Sequence, residues 1–246
     1  MINFVVGFPI KLNIGSAPFK AIPRTSKETK QDIFVSNPIY KDIQTKSEIE
    51  ALVRKNSNIE RILGEYNIPL EINLNALEEL KQGHMKHTCA IVTKIYSSLP
   101  ENIKKDISLS DIQDAALLHD FGKVLIPEKI LNKKGKLNEN EKKIMDLHSE
   151  LGYELLKTKG LNEKILNLVK YHHQNKNEKG YPRIDSDYHL GIDTQILSVA
   201  DKYSALREKR SYKNPLAKYE ALEIIAKEVN KGDISQEVYT ALIRSV

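Results

Sequence analysis

The chain of 246 residues is 40% hydrophobic and 29% charged, a balance that suits one ordinary domain with an appendage and a core needing no covalent staples. Its single cysteine, Cys89, excludes an intramolecular disulfide and a cysteine-built zinc site, and fits a reducing compartment such as the cytoplasm. The formal net charge of +5 sits mostly in residues 1–46, but no dense basic run marks an arm for DNA, RNA or a membrane surface, so none of these is expected as a partner.

Residues 1–46 hold Pro9, Pro18, Pro23 and Pro38 and show no sustained period, which predicts an irregular segment with at most a short extended piece at Ile2–Phe8. The opening MINFVVGFPI is too short and lacks the basic start of a signal peptide, and no run approaches the roughly 20 apolar residues of a membrane span. From Ser47 the pattern turns helical. Ser47 and Glu50 have capping-box spacing ahead of Ile49, Leu52 and Val53, and Ile59, Ile62, Leu63 and Tyr66 predict a second short helix ending before Pro69. Residues 47–74 therefore read as a small helical cap or linker.

The body, residues 75–246, continues in the same style. A long helix is expected from Asn75 to about Leu99, stopped by Pro100, and another from Ser110 through His119. Asn138 with Glu141 opens a helix through Leu156, and Asn162 opens one through His173. Helices over Asp193–Leu206, Pro215–Val229 and Ser235–Ile243 complete the set. No alternating segment with hairpin chemistry appears after residue 47, so the expected fold is all-α, a helical bundle.

Seven histidines are spread over this body, and three of them, His119, His172 and His173, fall at the ends of predicted helices. His119-Asp120 closes an apolar helix and is followed by Gly122-Lys123. A carboxylate facing an interior is costly unless paired, and a divalent cation would satisfy both His119 and Asp120. His87, His148, His172-His173 and Asp201, the last in SVADKYSAL, lie on other helices. Inward ligands from several helices are how bundles build dinuclear sites. Nitrogen and oxygen donors without thiolates suit Mn, Fe, Co, Ni or Zn. Each residue has a plainer reading as well: His172-His173 as a helix C-terminus favoured by the dipole, His148 as a core histidine on a carbonyl. His84 reads as a packed or exposed histidine, His189 as exposed, and Cys89 as a small core hydrophobe.

The ordered series His87, His119-Asp120 with Gly-Lys, His148, His172-His173 and Asp201 resembles the HD superfamily. The strings IPEKIL, KKGKL, Gly180-Tyr181-Pro182, VADKYSAL and KRSYK resemble its HD-GYP branch over about residues 83–245. That branch comprises phosphodiesterases that hydrolyse cyclic di-GMP to pGpG and GMP. The resemblance implies a catalytic domain at 75–246 with two divalent cations, iron or manganese, held by His87, His119, Asp120, His148, His172, His173 and Asp201, with Asp120 bridging. It implies catalytic roles for Asp120 and Lys123, with Lys123 also on a phosphate oxygen, and substrate contacts from Gly180, Tyr181, Pro182, Arg210, Tyr212 and Lys213. The chemistry expected of such a pair is a metal-activated hydroxide attacking phosphorus in line.

Several positions depart from the branch. Gly83 stands where members with a third metal carry a glutamate, so two cations are expected; His84, read as on the same helix face as His87, has an alternative reading in which it approaches that vacant corner. Gln174, Asn177, Glu178 and Ser204 replace Glu, Asp, Gly and Asp. These changes leave the implied ligands intact and bear on the substrate loop. Two other readings therefore stand beside cyclic di-GMP hydrolysis: an HD phosphohydrolase for another nucleotide phosphoester, and a metal-binding module without catalysis that senses a nucleotide or docks a signalling partner or a second copy.

Overall fold

The computed structural model describes residues 45–76, 78, 83–208 and 214–246. The expectations for residues 1–44 and for Arg210, Tyr212 and Lys213 fall outside these. Among the described residues every regular element is a helix, as the periodicity predicts.

Two short helices lead, α1 (Lys46–Arg54) and α2 (Ser57–Glu65). The cap of α1 lies earlier than its sequence suggested: Thr45, not Ser47, takes the N-cap, and Glu48 closes the capping box. Ile49, Leu52, Val53, Ile59, Ile62 and Leu63 are buried and belong to the same core as the rest of the bundle. The pair packs on a later helix, α8 (His148–Lys157). Between them, Asn56 Nδ2 donates to Glu154 Oε2 at 2.6 Å and to the Glu154 carbonyl at 2.9 Å, while Asn58 Nδ2 reaches Oε1 at 3.3 Å. A carboxylate 8% exposed is tolerable there because a donor contact on each of its oxygens replaces its water.

The bundle centres on α3 (His84–Ser98), which packs against α5 (Leu109–Leu118), α10 (Ile192–Arg207) and α12 (Gln236–Ser245). The long helix predicted from Asn75 is divided: Gly83 has φ −123° and ψ −94°, outside the helical region, and α3 begins after it. Short α4 (Glu101–Lys104) follows Pro100, and Ser108, rather than Ser110, caps α5. A 3-10 segment at Phe121–Leu125 and α6 (Glu128–Leu131) lead to α7 (Glu139–Asp146), opened by the predicted Asn138–Glu141 capping box. The helix expected through Leu156 breaks at Leu147, so that α8 starts at His148. Helix α9 (Glu163–Tyr171) ends at His172, and α11 (Lys218–Asn230) packs on α10 and α12.

The 3-10 segment approaches α8 closely. A Cβ on Gly122 would stand 1.9 Å from the His148 carbonyl oxygen and 2.5 Å from the Gly152 nitrogen. Only glycine permits that approach, which holds the turn after Asp120 against the start of the helix bearing His148.

Candidate metal centre and its cavity

Five segments deliver polar side chains to one point: the first turn of α3, the end of α5, the start of α8, the end of α9 and the middle of α10. His119, Asp120, His148, His172 and Asp201 are all buried there, amid an otherwise apolar core.

The imidazoles are oriented by their own helices. His119 Nδ1 donates to the Ala116 carbonyl at 2.9 Å, His148 Nδ1 to Met145 at 2.7 Å and His172 Nδ1 to Val169 at 2.7 Å. A carbonyl only accepts, so each of these nitrogens carries a proton, and on His148 and His172, which burial holds neutral, Nε2 faces the centre with a lone pair. His148 Nε2 and His172 Nε2 then lie 3.3 Å apart, and His173 Nε2 lies 3.1 Å from His148 Nε2. Two lone pairs at that distance repel unless something positive sits among them. His119 Nε2 is fully buried and makes no hydrogen bond.

Asp120 lies between two groups of donors. Its Oδ1 is 3.4 Å from His148 Nε2, and its Oδ2 is 3.4 Å from His119 Nε2 and 3.9 Å from His84 Nε2. One side is the trio His148, His172 and His173; the other is His84, His119 and Asp201, whose ligand atoms lie within 4.8 Å of one another. Lys123 Nζ donates to Asp120 Oδ2 at 2.7 Å from the half-buried rim.

The electrostatics follow from this crowding. Burial pushes His148 down to about 4 and His173 to about 3, and holds His172 well below its ordinary value. Burial also opposes charge on His119, but Asp120 and Asp201 outweigh it and raise that group to about 10. Both carboxylates are held well below their usual range: burial opposes this, but Lys123 and His119 outweigh it at Asp120, and His119 and His84 at Asp201. Two buried anions stand beside three imidazoles held neutral, His148, His172 and His173, and draw His119 toward its charged form, so the centre calls for positive charge. A divalent cation of the Mn-to-Zn series fits that donor set.

The structure brings His119, Asp120, His148, His172, His173 and Asp201 together. It leaves His87 outside. The His87 side chain is 66% exposed and its Nδ1 pairs with Glu208 Oε1 at 2.8 Å. His84 occupies the place instead, with Nε2 2.7 Å from Asp201 Oδ1. The reason is helical phase. Met85, Thr88, Cys89, Val92 and Ile95 form the buried stripe of α3, and His84 borders it, whereas His87 is rotated further toward solvent. Gly83 marks the helix start that puts His84 in the first turn, and that signal was legible. The pairing with Glu208 was not, because 124 residues separate it from His84.

The cluster opens into a cavity of about 510 Å³ lined by His84, Asp120, Lys123, Leu131, Leu137, Met145, His148, His173, Tyr181, Asp201 and Leu206 among others. Tyr181 stacks on His173 with ring centroids 4.6 Å apart. The Gly180–Pro182 loop is held by buried Gln174, whose Oε1 accepts from Gly180 N at 3.0 Å and whose Nε2 donates to the Pro182 carbonyl. Gly180 is pressed on the His173 carbonyl, where a Cβ would stand 2.1 Å away. Asn177 Nδ2 donates to Asp233 Oδ1 at 3.0 Å, and Glu178 adopts φ +57°, a left-handed conformation that glycine accepts more easily. His189 is exposed and Cys89 is buried, as expected.

Comparison with known proteins supplies the family. The HD-domain family matches residues 71–238. A cyclic di-GMP phosphodiesterase of Thermotoga maritima is 34% identical over 161 residues, covering 63% of this chain and 43% of the relative. The 3'3'-cGAMP-specific phosphodiesterase 2 of Vibrio cholerae is 41% identical over 107 residues, 42% of this chain and 20% of its own length. The cyclic di-GMP phosphodiesterase response regulator RpfG of Xanthomonas campestris is 32% identical over 133 residues, 52% of this chain and 33% of the regulator. The chain thus spans less than half the length of each of these relatives. The HDG"Y"P protein Bd1817 of Bdellovibrio bacteriovorus shares the fold, with a TM-score of 0.50 at 14% identity over 87% of this chain and 66% of that one. With more than half its length matched and an all-helical cluster of histidines and aspartates at its centre, the chain belongs to the HD-domain family.

Proposed function

We propose that this chain is a metal-dependent phosphodiesterase that opens a cyclic dinucleotide, cyclic di-GMP in the first instance, at a site holding two divalent cations. The observation that carries the reading is the pair of Nε2 lone pairs on His148 and His172, 3.3 Å apart beside buried Asp120 at the inner end of a large cavity. His148, His172 and His173 would hold one cation and His84, His119 and Asp201 the other, with Asp120 shared. Cations bound there supply water activation near neutral pH and withdraw charge from a phosphoryl group.

The chain's own residues do the rest. Lys123, poised on Asp120 at the rim, meets negative charge building on a phosphoryl oxygen. Backbone carbonyls keep the Nδ1 protons of His119, His148 and His172 in place, so these imidazoles need no reorganisation during the reaction. Tyr181, braced against His173, offers a flat face for a base, and Leu131, Leu137 and Leu206 line the apolar part of the cavity. Relatives named for cyclic di-GMP and for 3'3'-cGAMP support the substrate class.

The test is anaerobic incubation of the protein with Fe(II) or Mn(II) and each cyclic dinucleotide, followed by chromatography. Linear pGpG or GMP that disappears in an Asp120→Ala control establishes the reading for cyclic di-GMP. Turnover of 3'3'-cGAMP alone moves the substrate, and no turnover of either by a metal-loaded protein removes the proposal. The replacements Gln174, Asn177, Glu178 and Ser204 are what make the second substrate worth running in parallel.

A further inference from the structure

One carboxylate at the outer edge of the cluster belongs to no expected ligand set. Glu208 follows α10 directly and is half buried, with its two oxygens divided between neighbours. Oε2 lies 2.8 Å from His84 Nδ1, and Oε1 lies 2.8 Å from His87 Nδ1. Ser204, one turn earlier on α10, donates to Oε1 at 2.9 Å and also lies 3.4 Å from His84 Nδ1.

His84 needs such a partner for a reason of its own. His119, His148 and His172 are each oriented by the carbonyl three residues back in the helix. His84 is the first residue of α3, so no preceding helical turn offers it that carbonyl. A carboxylate, acceptor only when ionised, serves instead: it keeps the proton on Nδ1 and turns Nε2 toward Asp201 and His119. We propose that Glu208, anchored by Ser204, is the positioning residue that fixes His84 as a metal ligand, replacing the backbone carbonyl that orients the other imidazoles. His87 is then a second contact of the same carboxylate, on the solvent side. This inference rests on the cation-site reading above.

The experiment is titration of the full chain with Co(II), read by its visible absorption and by calorimetry, and needs no substrate. Glu208→Gln is expected to weaken one of the two Co(II) binding events by about 10- to 100-fold and leave the other unchanged. Adding Ser204→Asp to Glu208→Gln places a carboxylate within reach of the same Nδ1 and is expected to recover most of that loss. A merely structural role for Glu208 would not show this rescue. A Glu208→Gln protein that titrates like the parent, or one weakened equally at both events with no recovery by Ser204→Asp, overturns the positioning role while the cation site stands. A parent chain that takes up no Co(II) overturns the cation site and the positioning role together.

Discussion

His84 Nε2 lies 2.7 Å from Asp201 Oδ1, joining the first turn of α3 to the middle of α10. The contact sets His84 apart from His87, three residues on, which faces solvent. His84→Ala is expected to weaken metal binding on the order of 100-fold or more, since loss of a ligand exceeds loss of a partner behind one. His87→Ala is expected to retain both metals. Metal content after dialysis separates the two, and equal losses would return His87 to the ligand set.

Lys123 contacts Asp120 from the cavity side without being enclosed by the cluster. Lys123→Gln should keep the metals and lower kcat by about 100- to 1000-fold, the usual cost of losing one donor to developing phosphoryl charge. Steady-state kinetics with parallel metal analysis checks this. Loss of metal in the variant would mean that Lys123 holds the site together instead.

Gln174 both accepts from Gly180 N and donates to the Pro182 carbonyl, so it uses both ends of its amide. An ionised glutamate cannot do the second. Gln174→Glu is expected to set two acceptors face to face and loosen the loop bearing Tyr181, at a cost of about 1–3 kcal/mol. A higher KM and a lower Tm with unchanged metal content would show it; unchanged KM would remove Gln174 as the latch.

Asn56 caps α2 through Oδ1, which accepts from Asn58 N at 3.0 Å, while Nδ2 serves the buried Glu154. Asn56→Asp preserves the cap but turns a donor into a second carboxylate. A loss of about 1–3 kcal/mol is expected in urea unfolding, larger than a cap change explains. A neutral result would mean that water can enter beside Glu154.

Gly122→Ala tests how the site is held from behind. Its Cβ would meet backbone atoms of His148 and Gly152, which yield only if the start of α8 moves. Destabilisation of about 1–3 kcal/mol together with reduced metal content is expected, because His148 shifts with the helix. Loss of stability with full metal affinity would show that His148 can adjust independently.

Helical class, most element positions and six residues that meet in the cluster, His119, Asp120, His148, His172, His173 and Asp201, were legible from local patterns in the chain. Periodicity and caps are local properties, and the Asn138–Glu141 box and the apolar run before Asp201 act within a few residues of themselves. Helical phase and long-range approach, by contrast, emerge only from packing. Gly83 starts α3 afresh, so that His84 rather than His87 reaches Asp201, because three residues fall short of a full turn and leave His87 about 60° away around the helix. Glu208 meets His84 across 124 residues, and Glu154 meets Asn56 across 98. No local pattern encodes such a pairing; it exists only once α3, α8 and α10 pack, and their buried apolar faces fix which polar edges meet.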